Sequence, residues 1–114
     1  MSSKKDYFFI KHHSGLLKVK FEDVVFIEGL KNYAKIHTSG TAFLTMTSMK
    51  ELESFLPEEY FMRIHKSYIV AVDKIARLSK SKVCFTEQIT EQKCLPVGET
   101  FRGRLGDFVS DHLI

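Results

Sequence analysis

The chain has 114 residues, of which 44% are hydrophobic and 27% are charged, and its formal net charge is +3. This length predicts one domain, taken as residues 1–114, with enough residues to bury a core. No apolar run is long enough to span a membrane, and no signal peptide is expected because residues 1–5, interpreted as a flexible tail, lead directly into a short apolar strand.

The first half of the chain is predicted to consist of short β-strands. Alternating or continuous apolar residues, many of them aromatic, predict strands at residues 7–12, 16–20, 24–28, 33–38 and 42–46. The segment 24–28 is apolar nearly throughout, so we expect it to be central in a sheet. Turn residues separate the strands, and Gly29 to Asn32 is expected to be a loop.

Residues 48–56 are predicted to form a short α-helix. Ser48 followed by Glu51 fits a capping box, in which the two side chains bind backbone N–H groups at the helix start. An apolar stripe at helical spacing follows, and Pro57 ends the helix. The exposed face is acidic and would repel phosphate, so the helix is expected to close a core and not to enter a DNA groove.

The second half of the chain is predicted to contain strands around a polar triplet, His65-Lys66-Ser67, which separates an alternating segment from a buried one. A hairpin at 74–85 and a last strand at 92–97 follow, the latter at a sheet edge because Pro96 lacks an N–H group. Residues 100–114 are a candidate C-terminal helix. Its apolar stripe either covers the core or pairs two copies of the chain, and its members are Phe101, Leu105, Phe108 and Val109.

Charge is unevenly distributed along the chain. Residues 63–82 contain six basic residues and one acid, whereas residues 51–59 contain four acids and no base. A clustered basic surface is typical of a nucleic-acid binder, although a solvated face gives the same count.

Metal and catalytic chemistry are not predicted. The histidines and cysteines lack the spacing of zinc ligands, and no glycine-rich phosphate loop occurs. His65 and Ser67 are close in sequence, but no acid is apparent that would orient the histidine as a base. We therefore predict no enzymatic activity and no cofactor. Without a secretion signal we expect a cytoplasmic protein, and a disulfide between Cys84 and Cys94 is not expected.

Four stretches follow one another along the chain: VVFIEGLKNYAKIHT, MKELESFLP, FMRIHKSYIVAVDKI and LPVGETFRGRL. Their combination resembles the LytTR family, the DNA-binding output domains of bacterial two-component response regulators, over about residues 5–105. The resemblance implies a mainly β fold, an elongated arrangement of antiparallel β-sheets with a short helix. It also implies that loops, and no recognition helix, enter successive major grooves. Members commonly follow a phosphorylated receiver domain, and none is recognised in this sequence.

The resemblance assigns DNA contacts to three loops, at residues 29–33, 63–67 and 97–102. Asn32 either reads adenine or merely supports its turn. Many members carry an arginine just after the last strand, where this chain has Gly98-Glu99. Glu99 either accepts a hydrogen bond from cytosine or repels phosphate, and Arg102 is expected to compensate. The implied contact residues are Lys31, Asn32, Tyr33, Arg63, His65, Lys66, Ser67, Glu99 and Arg102.

The predicted partner is double-stranded DNA at promoter direct repeats, with a second copy of the chain bound beside the first. A sensor kinase would act only through a receiver domain, and no membrane partner is expected. Two alternatives stay open. The chain is a single-stranded nucleic-acid binder that stacks bases on Tyr33, Phe43 and Tyr68, or it is a protein-interaction module that uses the acidic helix or the C-terminal segment.

Overall fold

The computed structural model describes residues 6–86 and 94–114, which form ten β-strands, two α-helices and three short 3-10 turns. The strands are β1 (Tyr7–His12), β2 (Gly15–Lys20), β3 (Val24–Gly29), β4 (Ala34–Thr38), β5 (Thr41–Thr45), β6 (Phe61–His65), β7 (Tyr68–Ala71), β8 (Ile75–Leu78), β9 (Lys82–Phe85) and β10 (Cys94–Pro96). The helices are α1 (Met49–Phe55) and α2 (Arg102–His112), and the 3-10 turns lie at Phe21–Asp23, Val72–Lys74 and Glu99–Phe101. The predicted fold class, mainly β with antiparallel sheets, is confirmed. The predicted tail at 1–5 and the start of the last predicted strand at 92–93 lie outside the described residues.

A five-stranded antiparallel sheet with the order β5-β4-β3-β7-β6 forms the centre of the molecule. Strand β3 lies in the middle of this sheet, and its four apolar residues, 24–27, are at most 2% exposed. A register shift between Val24 and Phe26 marks a β-bulge in the pairing with β4. The predicted central strand is therefore confirmed, because only a strand covered on both faces buries consecutive residues in this way.

Two hydrophobic clusters lie on the two faces of the sheet, since neighbouring residues of β7 alternate between them. The β1–β2 hairpin and α1 cover the first face, with Phe8, Ile10, Val19, Leu52 and Leu56. A three-stranded sheet, β10-β9-β8, and α2 cover the second face, with Val83, Phe85, Leu95 and Leu105. Strand β10 is at the edge of its sheet, as Pro96 predicts.

Both helices pack against the sheet. The Glu51 N–H group donates to the Ser48 hydroxyl over 3.0 Å, and the Ser48 N–H group donates to the Glu51 carboxylate over 3.2 Å, so the predicted capping box is present. In α2, Leu105 is 3% exposed and the rest of the apolar stripe is partly buried. Leu105 belongs to the second cluster and Phe101 and Phe108 pack against it, so three of the four stripe residues cover the core. Neither helix of the described chain is long and apolar enough to cross a membrane.

The expectation of unpaired cysteines is wrong. Cys84 and Cys94 form a disulfide, with Cα atoms 4.0 Å apart, and they face each other directly in the pairing of β9 with β10. The next pair in this register, Val83 and Leu95, is buried in the second cluster. Burial of that pair sets the register and thereby aligns the cysteines, which the spacing of the cysteines alone does not reveal.

Candidate nucleic-acid interface

The three loops predicted to contact DNA lie side by side, and we name them loop 1 (residues 29–33), loop 2 (63–67) and loop 3 (97–102). Strand β3 pairs with β7, which brings loops 1 and 2 to the same end of the sheet. The Gly29 N–H group donates to the Ser67 carbonyl, and the Gly98 N–H group donates to the Ile64 carbonyl, both over 2.8 Å. Loop 2 is therefore in direct contact with each of the other two.

Two glycines permit this close approach. A Cβ atom on Gly29 would lie 2.6 Å from Met49 Cγ, so the flexible methionine side chain would have to move. A Cβ atom on Gly98 would lie 3.2 Å from Phe101 Cδ2 and 3.6 Å from His65 Cα. A larger residue at position 98 would therefore crowd the contact between loops 2 and 3.

Loop 1 presents three exposed side chains, Lys31, Asn32 and Tyr33. The Leu30 N–H group donates to the Tyr33 carbonyl over 2.8 Å and closes the loop. Asn32 has a negative φ angle, so the backbone does not require asparagine there. Within residues 6–86 and 94–114 its amide has no hydrogen-bond partner, which leaves the amide available to a ligand.

Loop 2 contributes a cation, a ring N–H group and a hydroxyl. Lys66 is exposed, whereas His65 and Ser67 are half-buried. The Ser67 N–H group donates to His65 Nδ1 over 3.0 Å. Because Nδ1 accepts this bond, the neutral ring carries its proton on Nε2. The imidazole of His65 therefore presents a hydrogen-bond donor at Nε2.

Arg63 differs from its neighbours in loop 2, because its guanidinium is bound inside the protein. The group donates from Nε to the His65 carbonyl over 3.2 Å and from Nη2 to the Lys66 carbonyl over 2.6 Å. It also donates from Nη1 to the Glu53 carboxylate over 2.9 Å. The side chain is 17% exposed.

Loop 3 carries the exposed Glu99 and Arg102 at the start of its 3-10 turn and of α2. The Val97 N–H group donates to the Ser81 carbonyl over 2.9 Å, so the β8–β9 turn lies next to this loop. This contact brings two exposed cations, Lys80 and Lys82, towards the interface. Both lysines belong to the basic stretch at residues 63–82, but neither was among the predicted contact residues. Their place beside loop 3 depends on strand pairing, which the sequence does not show.

Two titratable groups near the interface have altered pKa values. Hydrogen bonds from two arginines, foremost Arg104 at 2.8 Å, hold the pKa of Glu53 below its ordinary value. Burial lowers the pKa of His37, although its 3.2 Å contact with Glu28 opposes this effect. In the described part of the chain, no three His, Cys, Asp or Glu side chains are grouped so that they could hold a metal ion.

Comparison with known proteins identifies the family. The family model described as the LytTr DNA-binding domain matches residues 14–106. The fold is similar to the solved LytTr DNA-binding domain of a Bacillus cereus protein described as a methyl-accepting/DNA response regulator, with a TM-score of 0.70, 21% identity, and coverage of 97% of this chain and 100% of that chain. Comparison with curated protein sequences finds no significant match. Because the family model spans most of its length, the chain belongs to the LytTR family of DNA-binding domains, which act in transcription regulation.

Proposed function

We propose that this chain binds double-stranded DNA sequence-specifically, as the output domain of a two-component response regulator, by inserting loops into the major groove. The observation that carries the proposal is the convergence of loops 1, 2 and 3 at one end of the molecule. Each of loops 1 and 2 joins two antiparallel strands, and a major groove about 12 Å wide admits such a two-stranded ribbon. We expect a cytoplasmic location, where bacterial DNA lies.

Exposed cations around the loops supply affinity. Lys31, Lys66 and Arg102 carry positive charge within the loops, and Lys80 and Lys82 extend this charge beyond loop 3. Contacts of such groups with phosphates release counterions and position a protein on the duplex without reading its sequence. Affinity should therefore fall steeply as salt is raised.

Polar side chains at the loop tips supply specificity. The Asn32 amide matches the donor and acceptor of an adenine edge, and the Nε2–H group of His65 matches the guanine acceptors. Ser67 donates its hydroxyl to a phosphate. Glu99 accepts from cytosine if loop 3 enters the groove, and it repels phosphate if the loop stays at the rim.

The surroundings of the aromatic residues argue against single-stranded nucleic acid as the main ligand. Stacking requires exposed rings. Tyr33 is 43% exposed, but Phe43 packs against the first cluster and Tyr68 against the second. Of the three candidate stacking platforms, Tyr33 is exposed, whereas Phe43 and Tyr68 are half-buried and each has part of its side chain committed to packing.

A titration of fluorescently labelled DNA tests the proposal. The chain is mixed with a random-sequence duplex pool and with the matching single strands at several salt concentrations, and anisotropy is recorded. We expect tighter binding to duplex, with the logarithm of the association constant falling linearly with the logarithm of salt concentration. Selection from the pool should then enrich one motif. Absence of any complex at low salt, or preference for single strands, would contradict the proposal.

A further inference from the structure

Arg63 connects the backbone of loop 2 to helix α1. Two of its nitrogens donate to consecutive carbonyls of the β6–β7 turn, those of His65 and Lys66. A third nitrogen donates to Glu53 of α1. A register shift between Arg63 and His65 marks a β-bulge at the same place, and bulges re-aim the side chains beside them.

The same guanidinium also contacts loop 3. Its Cζ atom lies 5.6 Å from the centroid of the Phe101 ring. Arg104 of α2 lies 5.7 Å from that ring, and its Nη1 donates to the second carboxylate oxygen of Glu53 over 2.8 Å. Glu53 thus holds two arginines on one aromatic ring, and the network joins α1, loop 2, loop 3 and α2.

The open side of this network is unsuited to DNA. Arg63 lines a groove of about 630 Å³ together with residues of both helices. Three acids, Glu53, Glu58 and Asp111, line the same groove. Two arginines, Arg63 and Arg104, also line the groove, so three acids against two bases leave it with a net negative charge that opposes a phosphate approaching from that side.

We propose that Arg63 is a positioning residue, which holds loops 2 and 3 in the shape that binds DNA and does not itself contact DNA. This inference rests on the proposed function. Fixing the His65 and Lys66 carbonyls before binding removes part of the entropy that a mobile loop would lose on the duplex. Only arginine offers donors in a rigid planar fork that reaches three acceptors at once, so lysine cannot replace it.

The test compares Arg63→Lys and Glu53→Gln with Lys66→Ala and the wild-type chain. Duplex dissociation constants are measured at several salt concentrations, and thermal unfolding of each variant is recorded. We expect Arg63→Lys to weaken binding about 10-fold, the equivalent of one lost hydrogen bond to a charged group, with the salt slope of the wild type. Lys66→Ala should instead flatten the slope by about 0.9, the effect of one phosphate contact.

Glu53→Gln gives the sharper result, because a simple charge effect and the positioning role predict opposite changes in affinity for DNA. Removing a negative charge should strengthen binding to DNA if only net charge matters. Loosening Arg63 should weaken binding. The matched control is Glu58→Gln, which removes the same charge from the same groove without a contact to Arg63, and it should bind at least as tightly as the wild type.

Three outcomes are decisive. Wild-type affinity for Arg63→Lys or tighter binding by Glu53→Gln would each overturn the positioning role, and Arg63→Gln adds a third outcome because it removes the charge: a salt slope flattened by about 0.9 would show a phosphate contact. If Arg63→Lys fails to fold, Glu53→Gln alone decides. If the wild-type chain binds no duplex, the proposed function fails instead, and the two failures are thereby distinguished.

Discussion

At the scale of single residues, Lys66 is the clearest candidate for a phosphate contact. It is exposed at the tip of loop 2, whose flanking carbonyl groups are held by Gly29, Gly98 and Arg63. We predict that Lys66→Ala weakens binding to all duplexes and flattens the salt slope, and that the loss is about 1 to 3 kcal/mol if the lysine also reads a base. Titrations at several salt concentrations measure both quantities.

Lys20→Ala is a matched control for this prediction. Lys20 is also exposed, but it precedes the start of β3, at the far end of the strand that leads into loop 1. Its removal should leave the affinity and the salt slope nearly unchanged. Equal effects of the two substitutions would mean that general charge, and not loop 2, governs binding.

Asn32 is the corresponding candidate for base recognition. Its exposed amide makes no hydrogen bond within the described part of the chain. We predict that Asn32→Ala relaxes the preference at one base position, with a cost of about 1 to 3 kcal/mol on the preferred sequence and little on others. Selection of bound duplexes from a random pool measures the base preference at each position of the motif. Recovery of an unaltered motif would remove Asn32 from the base-reading set.

His37 makes stability depend on pH. Burial, the largest cause, lowers its pKa from the ordinary value of 6.5, with Glu28 opposing and Lys35 adding to the shift. The unfolded chain therefore takes up this proton first as pH falls, so stability is complete above about pH 6.5 and is lost below it. We predict a larger fall in the unfolding midpoint between about pH 7.5 and 5.5 for the wild type than for His37→Gln. Identical falls would contradict the prediction.

At the scale of elements, strand pairing builds the interface. Loops 1 and 2 are neighbours because β3 pairs with β7, and loop 3 joins them through the Gly98–Ile64 hydrogen bond. Elements packed behind the loops keep them there, among them α1 through Glu53 and β10 through its pairing with β9. A contact surface made of loops can be rigid when each loop is supported in this way.

The disulfide between β9 and β10 gives a prediction at this scale. Cys84 and Cys94 are 10 residues apart, and closing a loop of this length stabilises a fold by about 3 kcal/mol in the chain-entropy account. We predict that a reducing agent lowers the free energy of unfolding by about this amount. Urea titrations followed by circular dichroism measure it. The Cys84→Ser/Cys94→Ser double variant should not respond to the reducing agent, and a wild type that does not respond would contradict the prediction.

At the scale of the whole molecule, the central sheet is covered on both faces, and α2 uses its apolar stripe for this purpose. Three of its four members, Leu105, Phe101 and Phe108, take part in this packing. We propose that two copies assemble only on DNA, side by side on repeated sites. This proposal predicts that the free chain is a monomer and that one duplex with two sites binds two chains.

Sedimentation tests this prediction. The free domain should sediment as a monomer, and a duplex with two selected sites should bind two chains. A duplex in which one site is scrambled serves as the control and should bind one chain. A stable dimer without DNA would show that another surface pairs the copies.

The sequence by itself determined the local features of this protein. Period-2 alternation and apolar runs predicted the strands, and Ser48 with Glu51 predicted the start of α1, because these signals depend on near neighbours. The order of the four stretches also identified the family. The resemblance to the family further named the residues proposed to contact DNA, and these assignments stay predictions.

Only the tertiary structure decided which loop side chains are available to a ligand. Arg63 and Lys66 lie three residues apart and are both basic, yet one is bound inside the protein and the other is exposed. The Cys84–Cys94 bond and the place of Lys80 beside loop 3 likewise depend on the register of β8, β9 and β10. Register is set by burial of side chains that are distant in sequence, and a local pattern carries no information about such contacts.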